Sequence, residues 1–174
     1  MARALRRVRR APPAGGPDLT EGTGRSGIIL QYGLRKAYRP IPAERRRAAL
    51  EAGLKAYERG NFFEAHELLE PAWMGTSDLA ERALYQGLIK LAAGYVHAIR
   101  GNPIGMTRNL HGARKYLEVS LRAGPEHSLS AGIDLPALIV EIDARLDALM
   151  TLPSVVNTIP AAMLDLADTP PPIR

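Results

Sequence analysis

One short segment carries the residues whose types and spacing best suit a catalytic or binding role. We place this segment on a helical wheel at about 100° per residue. His66 and Glu70 fall inside an otherwise apolar arc of this predicted helix. Glu67 lies at the edge of the arc, whereas Glu64 faces solvent. An ionised side chain without partners is costly to bury, so neighbouring groups are expected to compensate for His66 and Glu70.

The next predicted helix offers partners for these groups. Its wheel carries a polar strip beside the apolar arc, flanked by glycines that would let another helix approach closely. The strip consists of Gln86, Lys90, Ala93 and His97, with Gly87 and Gly94 beside it. We expect it to face His66, Glu67 and Glu70, which would form a polar pocket between the second and third helices. Trp73, at the end of the second helix, is a further candidate for lining this pocket.

Three interpretations of this cluster remain open. It can be a structural network in which the polar groups satisfy one another and fix the helix register. It can be a metal site, in which His66 and Glu70 share an ion at i and i+4. His97 or Gln86 would then add a third ligand. It can also be a binding or catalytic pocket, with Glu67 or Glu70 as the acid or base beside His66.

The spacing of the candidate ligands gives the metal interpretation limited support. The second predicted helix lacks the second histidine of a zinc-protease helix, and neither helix shows the Glu-x-x-His spacing of di-iron bundles. The sequence therefore assigns no metal ligand and no cofactor.

Five segments with a helical period follow one another between residues 43 and 150. They are expected at about 43–59, 62–74, 78–100, 103–122 and 135–150. The sequence Arg-Gly-Asn stands at 59–61 and again at 100–102, and each of these short links should make an antiparallel helical hairpin. The expected N-caps are Asn61, Asn102 and Asp134. The predicted fold is all-α, a compact bundle of about five helices built from two helical hairpins, with irregular N- and C-terminal tails.

The chain on either side of this domain has a different composition. Residues 1–42 contain nine basic residues against two acidic ones and show no sustained period, which predicts a basic, largely disordered arm. An apolar stretch at 28–34 is a candidate for packing onto the domain. Residues 151–174 are rich in proline and predict an irregular tail, with one helical turn near 161–166.

Charge and composition exclude several classes of protein. The net charge of +5 belongs to the arm, since the other 14 basic residues face 16 acidic ones, so nucleic-acid binding by the folded domain is not supported. The absence of cysteine excludes disulfide scaffolds and thiolate metal sites and fits a reducing compartment. No apolar run reaches the roughly 18 to 20 residues that span a bilayer, and no secretory signal is recognised. We expect a cytoplasmic protein without membrane contact. Its expected partners are a second copy of the chain and an acidic partner of the arm.

Three blocks of sequence resemble a known family. They are 60–70 (GNFFEAHELLE) followed by Trp73, then 85–92 (YQGLIKLA) and 100–102 (RGN). In this order and spacing, over roughly 45–121, they resemble the prokaryotic family known as domain of unknown function 309. The resemblance implies a small helical bundle with no established activity. The shared site that it implies consists of Glu64, His66, Glu67, Glu70, Trp73 and Gln86.

Two positions depart from the pattern of that family. Lys90 stands where the family usually has glutamine, and its ammonium offers a partner for a glutamate, which argues against a metal. Pro71 stands where a helix former is usual, so we expect it to bend or end the second helix and to shift Trp73.

Two functions are compatible with the sequence. In the first, a His/Glu pocket between the second and third helices binds a small ligand or a metal, with His66, Glu67 and Glu70 as candidate catalytic residues and hydrolysis as the reaction class. In the second, the domain is a non-catalytic interaction or assembly module, and its His/Glu cluster is a structural network. No substrate follows from either.

Overall fold

Segments rich in alanine and leucine with a helical period form the framework of the molecule. The computed structural model describes residues 28–31, 34–37, 40–124, 132–151 and 168–173. Within them the helices are α1 (Ala43–Glu58), α2 (Phe62–Gly75), α3 (Leu79–Ile99), α4 (Pro103–Arg122) and α5 (Leu135–Met150). All five predicted helices are present close to their predicted bounds, and the predicted all-α bundle is confirmed.

Two left-handed glycines close the two helical hairpins. Gly60 has a φ of +77° and Gly101 a φ of +63°, a region that glycine enters without steric cost. Each glycine N–H donates to the preceding helix at 2.9 Å, to the carbonyls of Tyr57 and Ala98 respectively. The repeated Arg-Gly-Asn sequence therefore makes the same turn twice. Because successive helices alternate in direction, both turns lie at the same end of the bundle.

The helix N-caps follow the sequence with one exception. Asp78, Asn102 and Asp134 each accept a hydrogen bond from the backbone N–H three residues later, at 2.7 to 3.0 Å. Asn61 makes no such bond; its amide instead donates to the Glu64 carboxylate at 3.2 Å. Asn61 therefore occupies the predicted N-cap position of α2, and its backbone carbonyl accepts from the Ala65 N–H at 2.9 Å, but its side chain does not supply the expected capping bond.

Helix α3 lies between α2 and α4. A Cβ atom at Gly87 would lie 2.7 Å from the Leu117 side chain, and one at Gly94 would lie 3.3 Å from that of Leu110. These two glycines of α3 thus make room for leucines of α4. The close approach expected from the glycines occurs, but the helix that comes close is α4 and not α2.

One face of each helix contributes to the core. The largest fully buried side chains are Trp73, Tyr85, Tyr95, Leu69, Leu84, Leu88, Leu91, Met106, Leu110, Leu117, Leu138 and Ile142. The C-terminal segment also reaches this core, because Ile173 is 3% exposed and Arg145 donates to the Thr169 carbonyl at 3.1 Å. The helical turn predicted near 161–166 lies outside the described residues.

Pro71 lies inside α2 without ending it. The helix continues to Gly75, and Trp73 is 2% exposed in the core. The prediction that Pro71 would end the helix is therefore wrong. Its missing N–H costs the helix one hydrogen bond, and the burial of Ala72 and Trp73 just beyond it offsets that cost.

Part of the predicted arm forms a pair of strands. β1 (Ile28–Gln31) and β2 (Leu34–Ala37) are antiparallel neighbours. The chain then joins the bundle at Ile41, whose N–H donates to the Gly75 carbonyl at 3.1 Å and whose side chain covers Gly75. Residues 1–27 lie outside the described part of the chain, so the disorder of the arm stays a prediction.

Candidate functional site

Helix α2 separates a buried face from a polar one, because its apolar residues recur at helical spacing. The buried face consists of Phe62, Ala65, Leu69, Ala72 and Trp73. Glu64 and Glu67 are exposed, and His66 and Glu70 are half-buried between the two faces. The expectation that His66 and Glu70 lie within the apolar arc is therefore corrected. They lie at its border, because α1 and α3 cover the opposite side of α2.

His66, Glu67 and Glu70 nevertheless converge. One donor atom from each lies within 4.8 Å of the others, and His66 Nδ1 is 3.1 Å from Glu67 Oε1. The His66 side chain is 27% exposed and that of Glu67 is 54% exposed. Because solvent reaches these groups, the large cost of burying an ionised side chain does not arise, and full compensation by neighbours is not required.

The hydrogen bond between His66 and Glu67 also bears on which ring nitrogen can bind a ligand. A neutral imidazole carries one N–H and one lone pair. When Nδ1 donates its proton to the Glu67 carboxylate, the lone pair is on Nε2. The cluster therefore combines one nitrogen donor with carboxylate oxygens, a mixed set that suits borderline divalent metals.

The polar strip of α3 contributes to a different interface. His97 Nδ1 lies 3.1 Å from the Asn102 amide, and the His97 ring lies directly against Gly105 of α4. The stem of Lys90 lies over Gly112 of α4. The prediction that His97 faces the cluster on α2 is therefore wrong, and Lys90 extends along the α4 side. The physical reason is the pair of glycines on α4, which leave room for these long side chains.

Trp73 and Glu64 lie outside the cluster, whereas the position of Gln86 relative to it stays a prediction. Gln86 is half-buried on α3. Trp73 is a core residue, and its indole N–H has no hydrogen-bond partner among the described residues. Glu64 lies 3.9 Å from an Arg59 guanidinium nitrogen, on the exposed side of α2. Of the predicted set, the structure brings together His66, Glu67 and Glu70.

A polar network that we did not predict from the sequence lies at the loop between α2 and α3. Glu81 is 4% exposed and accepts hydrogen bonds from Arg46 Nε at 2.6 Å, Arg46 Nη2 at 3.1 Å and the Thr76 hydroxyl at 2.6 Å. Its own N–H donates to the Asp78 carboxylate at 2.7 Å. The Asp-x-x-Glu spacing at 78–81 is that of a capping box, and this was the signal available in the sequence.

Tyr85 extends this network to the backbone of α1. Its hydroxyl donates to the Arg46 carbonyl at 2.9 Å. Burial raises the pKa of Tyr85, the charge of Glu81 raises it further, and the charge of Arg46 opposes the shift. The network ties the beginning of α1 to the beginning of α3 and has a structural role.

Two further tyrosines pack with Phe62 in the core. The ring centroids of Tyr57 and Phe62 are 5.1 Å apart, and those of Phe62 and Tyr95 are 5.0 Å apart. Burial raises the pKa of Tyr95 to about 12, while the charge of Arg145 opposes the shift. Burial likewise raises the pKa of Tyr57. These phenols therefore stay protonated well into the alkaline range while the protein is folded.

A groove of about 420 Å³ opens between the beginning of α2 and the end of α3. It is lined by Gly60, Asn61, Phe62, Phe63, Glu64, Val96, Ile99 and Arg100. Among the predicted site residues only Glu64 lines it. The groove is therefore distinct from the His/Glu pocket predicted between the same two helices.

Comparison with known proteins gives one match. The model of a family described as "Domain of unknown function (DUF309)" matches residues 50–109. No curated protein and no solved structure gave a significant match to the chain. The matched segment includes His66, Glu67 and Glu70. In the described part of the chain, no helix combines the length and the apolar character that a membrane crossing requires.

Proposed function

We propose that the helical domain of this chain, in which residues 50–109 match the model of the domain of unknown function 309 family, binds a divalent transition-metal ion on helix α2. The observation that carries the proposal is the convergence of His66, Glu67 and Glu70, whose donor atoms lie within 4.8 Å of one another. Two carboxylates offset the charge of a divalent ion, and the imidazole favours zinc, manganese or iron over magnesium and calcium.

Solvent access supports binding over a purely structural network. A network that fixes helix register is normally buried, as the Glu81 network is. His66 and Glu67 instead keep 27% and 54% of their side-chain surface exposed. An ion can therefore reach the cluster without opening the core. Water or a small anion would complete the coordination from the solvent side.

Pro71 supports the proposal through the backbone. Because proline has no N–H, the backbone carbonyl of Glu67 lacks the donor that residue i+4 normally supplies in a helix. This carbonyl lies on the helix turn of the cluster. We include this carbonyl oxygen as a candidate for a further ligand, since divalent ions also accept backbone carbonyls.

Calorimetric titration with Zn²⁺, and the visible spectrum of the Co²⁺ complex, test this proposal directly. The unaltered protein should bind one ion, and His66→Ala, Glu67→Gln and Glu70→Gln should each weaken binding by about tenfold or more, because each removes a ligand or its charge. Glu64→Gln is the matched control, since Glu64 lies on the same helix outside the cluster and its loss should leave affinity unchanged. No ion bound by the folded protein, or equal loss in the control, contradicts the proposal.

Three protein ligands leave coordination positions open to water, which is the arrangement of catalytic zinc sites. Hydrolysis by a metal-bound water is therefore the reaction class that we include in the proposal. A panel of activated esters and phosphate esters, assayed with and without Zn²⁺, tests it. Turnover that requires Zn²⁺ and disappears in His66→Ala supports hydrolysis, whereas turnover that survives in His66→Ala contradicts it. A cytoplasmic location is part of the same proposal and is checked by fractionating cells that express the protein.

A further inference from the structure

Large apolar side chains are exposed at the end of the bundle that carries the two Arg-Gly-Asn turns. Phe63 at the beginning of α2 is 63% exposed, Ile99 at the end of α3 is 58% exposed and Ile104 at the beginning of α4 is 64% exposed. Phe63 and Ile99 line the groove of about 420 Å³. Exposed apolar side chains that line a common concavity mark an interaction site more often than scattered ones do.

The rim of this groove carries both signs of charge. Glu64 on α2 and Arg100 after α3 both line it. The Glu64 carboxylate is held at the rim by the Asn61 amide at 3.2 Å, with an Arg59 nitrogen 3.9 Å away. A uniformly acidic or uniformly basic partner would meet a like charge on one side. A surface with the same pair of charges in reversed order would not.

We infer that this groove is the dimer interface of the protein and that its occupant is a second copy of the chain. In a two-fold symmetric pair the same patch serves both copies, and every contact occurs twice. We place Glu64 of each copy opposite Arg100 of the second copy, because this joins opposite charges at both contacts. The side chains of Phe63 and Ile99 then fill the space between the two grooves. Because the patch has few exposed apolar side chains, we expect a concentration-dependent dimer and not an obligate one. The interface does not involve the metal ligands of α2.

Charge reversal gives a test that two-fold symmetry makes specific. Glu64→Arg and Arg100→Glu should each weaken dimerisation by about tenfold or more, because each places like charges opposite one another twice. An equimolar mixture of the two variants should form a heterodimer, since every contact in it again joins opposite charges. The double variant should also recover the dimer. Sedimentation equilibrium over about a hundredfold range of concentration, in the presence of a chelator, measures all four.

An apolar variant provides a second, independent measurement. Phe63→Ser with Ile99→Ser should make the protein monomeric while its helical circular dichroism is retained. Val140→Ser is the matched control, since Val140 is 66% exposed on α5, and it should leave the dimer intact. An unaltered protein that is monomeric throughout overturns the inference. So does a dimer that survives the apolar variant, and so does one that is lost only when residues 1–27 are deleted, because the arm would then provide the contact.

Discussion

Two groups of polar residues near α2 use similar side chains in opposite ways. In the first turn of α3, Glu81 is 4% exposed and accepts three hydrogen bonds from Arg46 and Thr76. On the surface of α2, Glu67 is 54% exposed, and its Oε1 lies 3.1 Å from His66 Nδ1. The first carboxylate is fully committed to the fold, whereas the second keeps oxygen lone pairs facing solvent.

This difference in exposure and hydrogen bonding distinguishes a structural carboxylate from one that is available to bind a ligand. A buried carboxylate must have its hydrogen bonds satisfied by the protein, so its removal damages the fold. A partly exposed one is satisfied by water, so its removal costs little stability and changes only what it binds. Substitution of Glu81 should therefore lower stability, whereas substitution of Glu67 should lower metal affinity and leave stability almost unchanged.

The largest effect is expected from Glu81→Ala. It leaves the Arg46 guanidinium without its buried partner and the Thr76 hydroxyl without its acceptor, so the free energy of unfolding should fall by about 3 to 5 kcal/mol. Because the Arg46 side chain is 18% exposed, the lower end of that range is expected. Urea denaturation followed by circular dichroism measures the change. Glu67→Ala is the matched control and should cost less than about 0.5 kcal/mol; equal losses at the two positions would remove the distinction drawn between them.

The buried tyrosines should make the stability of the protein sensitive to alkaline pH. Burial raises the pKa of Tyr95 from 10.0 to about 12, so from pH 10 upward the unfolded chain loses a proton that the folded protein keeps. The stability that this tyrosine contributes is complete below pH 10 and is lost as the pH rises through 12, at about 1.4 kcal/mol per pH unit. Tyr57 and Tyr85 add to the slope, since burial raises the pKa of each.

Tyr85→Phe isolates one contribution to this slope. Phenylalanine cannot ionise, so the stability of the variant should fall less steeply above pH 10 than that of the unaltered protein, although it starts lower because the hydrogen bond to Arg46 is lost. Urea midpoints measured from about pH 9 to 12 give both slopes. Identical slopes for the two proteins would contradict the assignment of Tyr85 to the buried network.

Pro71→Ala should have an intermediate effect, raising the stability of the protein and lowering its affinity for Zn²⁺. Alanine restores an N–H donor inside α2, so the free energy of unfolding should rise by about 1 to 3 kcal/mol. The same N–H engages the Glu67 carbonyl, so Zn²⁺ binding should weaken at the same time. Thermal unfolding and calorimetric titration measure the two effects separately. Unchanged Zn²⁺ affinity in the stabilised variant would remove the carbonyl from the proposed ligands.

The helices and their ends could be predicted from sequence because they depend on local patterns. Apolar spacing placed all five helices, and the left-handed positions of Gly60 and Gly101 follow from glycine after each helical run. The cluster of His66 with Glu67 and Glu70 was also accessible, since residues three and four positions apart on a helix share a face, which brings Glu70 near both Glu67 and His66.

What the sequence could not supply was which helix covers which face. His97 and Lys90 on α3 were expected to face α2. They lie instead against Gly105 and Gly112 of α4, and this choice depends on packing between helices. Glu81 was overlooked because its partner Arg46 lies 35 residues earlier in the chain. Pro71 was expected to bend or end α2, yet the helix continues to Gly75, because the burial of Trp73 beyond the proline outweighs one missing hydrogen bond.

The smallest change in stability, with the sharpest consequence for binding, is expected from His66→Ala. Without metal, the free energy of unfolding should change by less than about 0.5 kcal/mol, because the imidazole is partly exposed and its bond to Glu67 lies at the surface. Saturating Zn²⁺ should then stabilise the unaltered protein by about 2.7 kcal/mol at one hundred times its dissociation constant, and the variant by about 1.4 kcal/mol or less, since its binding is about tenfold weaker or more. Thermal unfolding with and without Zn²⁺ measures both quantities, with His111→Ala as the control for an exposed histidine on α4. Equal stabilisation of the His66 variant would show that the ion binds elsewhere, and the exposed cluster of α2 would then differ from the Glu81 network in burial alone.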